Sequence, residues 1–211
     1  MKKLTMVGTL LSFLLISGSV VFLLYHNESA LLRTDSPSLR SRVIVRYRYH
    51  DFLSLLTPNK VTFDLHRNHK TLLQSQDILT EYWSNENFMN KYASHRWEEE
   101  SILRFIKNSD DPASFDLVSI ENETSKRLSY VIVDCIDVLL VFDLDPNSRV
   151  TVGVPRSKWQ TWVVARAKYE DGEVVSNSGV DIFHKGKRVN QLHYVVSIGG
   201  ETIQITEVNE K

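Results

Sequence analysis

From Ser114 onward the chain is dominated by Val, Ile, Thr and aromatic residues in short runs, with turn-forming residues between them. Such side chains fit a pleated, half-buried surface, so this half of the chain is restricted to β-structure. The runs are Phe115–Ile120, Ser129–Asp134, Val138–Asp143, Arg149–Val154, Trp159–Tyr169, Val180–His184, Leu192–Ile198 and Thr202–Glu207. Asp145-Pro146-Asn147, Glu170-Asp171-Gly172, Lys185-Gly186-Lys187 and Gly199-Gly200 supply the turns. Turns this short join antiparallel neighbours, because a parallel return needs a crossover of about a dozen residues.

The first half has a different pattern. Val43, Val45, Tyr47 and Tyr49 share one face of a strand, with Arg46, Arg48 and His50 on the other. A helix continuing through Phe52, Leu53, Leu55 and Leu56 fits the same residues, and Thr57-Pro58-Asn59 ends either element. Val61 to His66 alternates cleanly, as a short strand does. From Thr71 to Lys107 there is no Gly or Pro; Leu72, Leu79 and Trp83 fall on one helical face, and Met89, Tyr92, Leu103 and Ile106 on a second. This stretch is therefore predicted to be mostly helical. Helices first and a meander after gives an α+β expectation: helices packed on one face of a curved antiparallel sheet.

Residues 4–24 contain no charge over 21 positions. As a helix, that run spans roughly 30 Å, the thickness of a bilayer core. Lys2 and Lys3 precede it and Tyr25 follows it. Cations before the run place the N-terminus in the cytoplasm and the rest of the chain on the far side. The expected organisation is a single-pass, uncleaved signal-anchor over residues 1–26, a polar linker over 27–40, and one extracytoplasmic α+β domain over 41–211. In this scheme residues 4–24 meet membrane lipid. Cleavage at Ser17-Gly18-Ser19 is the alternative, and it yields a secreted protein.

Composition narrows the functional classes. With 25 Lys and Arg against 26 Asp and Glu, the net charge is -1, which gives no electrostatic footprint for nucleic acid. The single cysteine, Cys135, cannot form an internal disulfide, and its apolar neighbours Val133 and Ile136 imply burial. No phosphate-binding loop, dinucleotide fingerprint, nucleophile elbow or zinc motif occurs, so no cofactor or metal is expected. Asp64 and His66 share a strand face, the arrangement of an acid–base pair or half a metal site, against the plainer reading of a polar outer face. His184 and His193 flank the Lys185-Gly186-Lys187 turn; with Trp83, Trp162 and Tyr194 they are the candidates for lining a ligand pocket. Asn27-Glu28-Ser29 and Asn122-Glu123-Thr124 are glycosylation sequons.

Three C-terminal segments, Trp162 to Gly172, Ser178 to Phe183 and Lys185 to Tyr194, resemble the last three strands of the NTF2-like superfamily, which includes SnoaL-type domains. The likeness lies in a long strand, an acidic-Gly hairpin, a strand ending in an aromatic, a basic-Gly turn and a final strand. It covers roughly a quarter of the chain. It implies a bent antiparallel sheet wrapped around N-terminal helices to form a cone with a pocket. A membrane helix followed by an exported domain of this class is also similar to VirB8-type scaffold components of secretion systems. The combined expectation is a membrane-tethered, extracytoplasmic protein- or ligand-binding domain without catalysis, with a protein partner or self-association. The alternative is a small SnoaL-type pocket enzyme using Asp64 or His66.

Overall fold

The computed structural model describes residues 27–49, 60–77, 94–106, 115–135, 137–156, 160–177, 179–183 and 191–208. They form an all-β structure of three sheets. The first sheet has the order β1-β2-β3-β4, from β1 (Asn27–Asp35), β2 (Ser41–Tyr49), β3 (Lys60–Arg67) and β4 (Lys70–Asp77). The central sheet follows β12-β11-β8-β9-β6-β5, with β13 also on β11. Its members are β5 (Ser94–Glu99), β6 (Ile102–Ile106), β8 (Leu128–Asp134), β9 (Val138–Leu144), β11 (Gln160–Tyr169), β12 (Val174–Ser176) and β13 (Val180–Phe183). The third sheet has the order β10-β7-β14-β15: β7 (Phe115–Asn122), β10 (Ser148–Pro155), β14 (His193–Gly199) and β15 (Thr202–Val208). Pairing is antiparallel except between β14 and β7, which run parallel.

The central sheet is covered on both faces, and its sequence shows it. Tyr130 and Ile132 of β8, Leu140 and Phe142 of β9, and Leu103 and Phe105 of β6 pack with Val43, Val45, Phe63, Leu65 and Leu73 of the first sheet. The alternate residues Val131, Val133, Leu139, Val141 and Ile102 pack with Val118, Ile120, Val152, Val154, Tyr194 and Val196 of the third. A strand buried on both sides has no polar face, so β8 and β9 are nearly continuous apolar runs. β2 is covered on one side only and alternates: Ser41, Val43 and Val45 point inward, Arg42, Ile44 and Arg46 outward.

The α+β expectation is corrected at its helical half, since the described residues contain no helix. Residues 70–77, 94–99 and 102–106 are strands. The absence of Gly and Pro permits a helix but does not impose one. Ile102 and Leu103 turn to opposite cores, which is strand geometry and mimics no helical stripe. Residues 27–35, read as linker, form β1. Trp83, Met89 and Tyr92 lie outside the described residues.

The helices that an NTF2-like cone wraps are thus absent from the described residues. The three strands that carried the resemblance also part company: β13 pairs with β11, whereas β14 joins the third sheet between β7 and β15. The single-pass, signal-anchor, extracytoplasmic assignment is corrected as well. No helix among the described residues is long and apolar enough to cross a membrane, and the run at 4–24 that carried the assignment lies outside them.

Candidate functional site

The outward face of the first sheet carries a half-open groove of about 450 Å³, lined by Leu39, Arg40, Arg42, Ile44, Arg46, Asp64, His66, His69, Thr71 and Gln74. Strand pairing assembles it row by row. Arg42 stands opposite His66, and His66 opposite Thr71 on the next strand. Ile44 stands opposite Asp64 on one side and Arg33 on the other. Because β2 buries Ser41, Val43 and Val45, its Arg42, Ile44 and Arg46 take the outer face; pairing sets His66 and the buried Asp64 of β3 beside Arg42 and Ile44 on that face.

Two of the arginines are held by carboxylates. Arg42 Nε donates to Asp35 Oδ1 at 2.5 Å, and Arg46 Nε donates to Asp64 Oδ2 at 2.5 Å. Asp64 is only 4% exposed, so its charge is compensated at close range, as burial of a carboxylate requires. His66 Nδ1 lies 3.2 Å from Thr71 Oγ1.

Two hairpin tips close one end. In the β3–β4 turn, Asn68 and His69 both have positive φ (47° and 65°), the pattern of a two-residue hairpin matched to strand twist. Leu39, in the β1–β2 turn, also has positive φ, at 61°, and is 73% exposed. The tips are tied by a hydrogen bond from Asn68 N to Arg40 O at 2.8 Å. The Ser38 hydroxyl donates to the Glu100 carboxylate, and Ser36 Oγ accepts from Ser41 N at 3.1 Å, so the β1–β2 turn is anchored at several points. Strained, non-glycine turn residues at Leu39 and His69 are fixed on the rim of the groove by this anchoring.

The sequence-predicted candidates divide sharply. Asp64 and His66 both line the groove. Tyr194 is 1% exposed and belongs to the core between the central and third sheets. His193 is on the third sheet, where its Nε2 lies 2.7 Å from Ser119 Oγ; Ser119 Oγ in turn is 2.7 Å from Thr151 Oγ1. That chain of polar groups ties β10, β7 and β14 together, away from the groove. Trp83 and His184 lie outside the described residues, and the Trp162 side chain is likewise not described. Asn122 is 1% exposed, and its Nδ2 donates to the carbonyls of Lys126, Leu144 and Asp145. The sequon nitrogen is therefore committed to the fold. Cys135 is half-buried in the β8–β9 turn rather than inside a strand, with Sγ donating to Asp137 O. Among the described residues no group of His, Cys, Asp and Glu is arranged to hold a metal ion.

Arg40, Arg42 and Gln74 are groove residues that the sequence reading missed. A signal for them exists in the distribution of charge. Residues 27–77 hold eight Lys and Arg against five Asp and Glu, whereas residues 78–211 hold 15 against 21. The near-neutral total conceals a basic first sheet.

No protein-family model matches the chain, and no curated protein matches it. A solved structure similar in part is the NMR structure of a protein from Eubacterium rectale, 11% identical, with a TM-score of 0.32, covering 47% of this chain and 93% of that one.

Proposed function

We propose that this chain is a recognition module that binds a small acidic ligand in the groove on the outer face of its first sheet and performs no chemistry on it. The observation that carries this reading is the fixed set of cations. Asp35 and Asp64 hold the Arg42 and Arg46 guanidinium groups in place beside His66, with His69 and Arg40 at the near end. A guanidinium already oriented by a carboxylate loses little freedom when a ligand arrives, and preorganisation of this kind raises affinity. Ile44 gives the floor an apolar patch, and a volume of about 450 Å³ lies within the range of small-molecule sites. Asp64 is buried against Arg46, a position suited to fixing that side chain.

Calorimetry on the full chain tests the proposal with small carboxylates, sulfates and phosphates, each beside its neutral parent compound. At least one acidic class is expected to bind where its parent does not. Arg42→Gln should weaken that binding, and added salt should weaken it further. Equal binding of acid and parent, or full affinity in Arg42→Gln, would overturn the assignment.

A further inference from the structure

We infer that the acidic ligand of this groove is a sugar phosphate, with its phosphoryl group at the hairpin end and its hydroxyls toward Gln74. The inference rests on the acidic-ligand reading above and narrows it to one chemical class. At the hairpin end the donors come from four separate places: Arg40 from the β1–β2 turn, Arg42 from β2, His66 from β3 and His69 from the β3–β4 turn. Arg42 has spent its Nε on Asp35, which leaves the terminal nitrogens of the same guanidinium for a ligand. His66 has turned its Nδ1 to Thr71, leaving Nε2. A carboxylate offers two oxygens in one plane and is served best by a single flat guanidinium fork. A phosphoryl group offers three oxygens pointing in different directions. Donors supplied to one groove from two strands and two turns suit the second shape.

The rest of the groove indicates what the phosphate is attached to. Beyond Arg42 the floor is the single apolar side chain Ile44, followed by Asp64, Arg46 and Gln74. Among the described residues no Phe, Tyr or Trp lines it, so they offer no broad ring on which a nucleobase would stack. Instead, a small carbon skeleton would rest on Ile44 and present hydroxyls to the Gln74 amide, which both donates and accepts. His69 lines the groove from a backbone of positive φ, and an asparagine there would hold the same backbone without the imidazole.

The experiment is calorimetric titration of the full chain with four probes: ribose 5-phosphate, inorganic phosphate, ribose and glucuronate. Ribose 5-phosphate should bind most tightly, inorganic phosphate more weakly, and ribose and glucuronate weakest. Arg42→Gln and His69→Asn should each lower affinity for both phosphates by about tenfold or more, the effect of losing one charge-assisted hydrogen bond. Thermal melts of the same variants should stay cooperative, which separates loss of binding from loss of fold. Glucuronate binding as tightly as ribose 5-phosphate would sink the phosphate assignment while leaving the acidic groove standing. Binding of none of these probes, nor of any other acid over its neutral parent, would sink both. Unchanged ribose 5-phosphate binding in both variants would place the phosphate elsewhere and overturn the inference.

Discussion

The guanidinium of Arg67, at the end of β3, forms an ion pair with the carboxylate of Asp143 on β9. The same group lies 5.8 Å from the centroid of the Phe142 ring and donates to the Ser41 hydroxyl. One side chain therefore fastens the first sheet to the central sheet, next to the turns that close the groove. Asp143 adopts φ 53°, so β9 departs from regular strand geometry where it meets Arg67.

Replacing Arg67 with lysine keeps the charge but loses the planar fork and the stacking over Phe142. We expect Arg67→Lys to cost about 1–2 kcal/mol and Arg67→Ala somewhat more, since Asp143 is partly exposed and a wholly buried pair would cost about 3–5 kcal/mol. Urea unfolding of the two variants measures this. Stability equal to wild type in Arg67→Ala would show that the first sheet does not depend on the link.

On β11, Val163, Ala165, Ala167 and Tyr169 face the third sheet and are buried. Val163→Asp should cost several kcal/mol, because it places an unpaired carboxylate in that core. Sequence alternation alone makes Lys168, on the opposite face, a solvated charge of no consequence. The structure corrects this: Lys168 Nζ donates to Leu72 O at 2.9 Å, across to the first sheet. Lys168→Ala should accordingly cost about 1 kcal/mol, the usual value of one such bond. Thermal melts of both variants distinguish the two effects.

Much of the fold was legible from local chemistry, and the failures have physical causes. Asp-Pro-Asn at 145–147 and Gly172 marked turns that exist, so the strands beside them were found. β6 was taken for helix because it is buried on both faces, which removes the alternation that identifies a strand. β1 was missed for another reason. Its register shifts between Ala30 and Leu32, so Leu31 and Leu32 both pack on the core and the alternation breaks. Within the site, Asp64 and His66 were visible because alternation puts them on one face. Arg40 and His69 come from turns distant in sequence, joined only by sheet pairing and the Asn68–Arg40 hydrogen bond. No local pattern brings such residues together.

Thr62 offers a stabilising substitution. It is fully buried, and its Oγ1 has no hydrogen-bond partner among the described residues. A buried hydroxyl without a partner has given up water for nothing. Valine has the same shape without that cost, so Thr62→Val should raise stability by about 1 kcal/mol. Destabilisation on the same chemical-denaturation assay would show that the hydroxyl is bonded in solution.

Glu100 is predicted to titrate below the ordinary glutamate value of about 4.3. The Ser38 hydroxyl donating to its carboxylate is the main cause; partial desolvation acts in the other direction, and Ser36 and the Arg40 charge assist. With the folded pKa depressed, the contribution to stability is fully present above the unfolded value and is lost as pH falls through the folded one. The Ser38–Glu100 hydrogen bond should therefore weaken only under acid. NMR titration of the Glu100 side chain checks this, and Ser38→Ala should move its midpoint back up. A midpoint unchanged by Ser38→Ala would assign the shift to another source.

The most direct test of the central claim is the backbone amide spectrum of the full chain during addition of inorganic phosphate. If the outer face of the first sheet is an acidic-ligand site, amides of residues 40–46 and 66–71 should shift in a saturable way, and those of the third sheet around Ser119 and His193 should not. Saturable shifts confined to the third sheet, or none at phosphate concentrations well above those at which small acids bind such grooves, would contradict it.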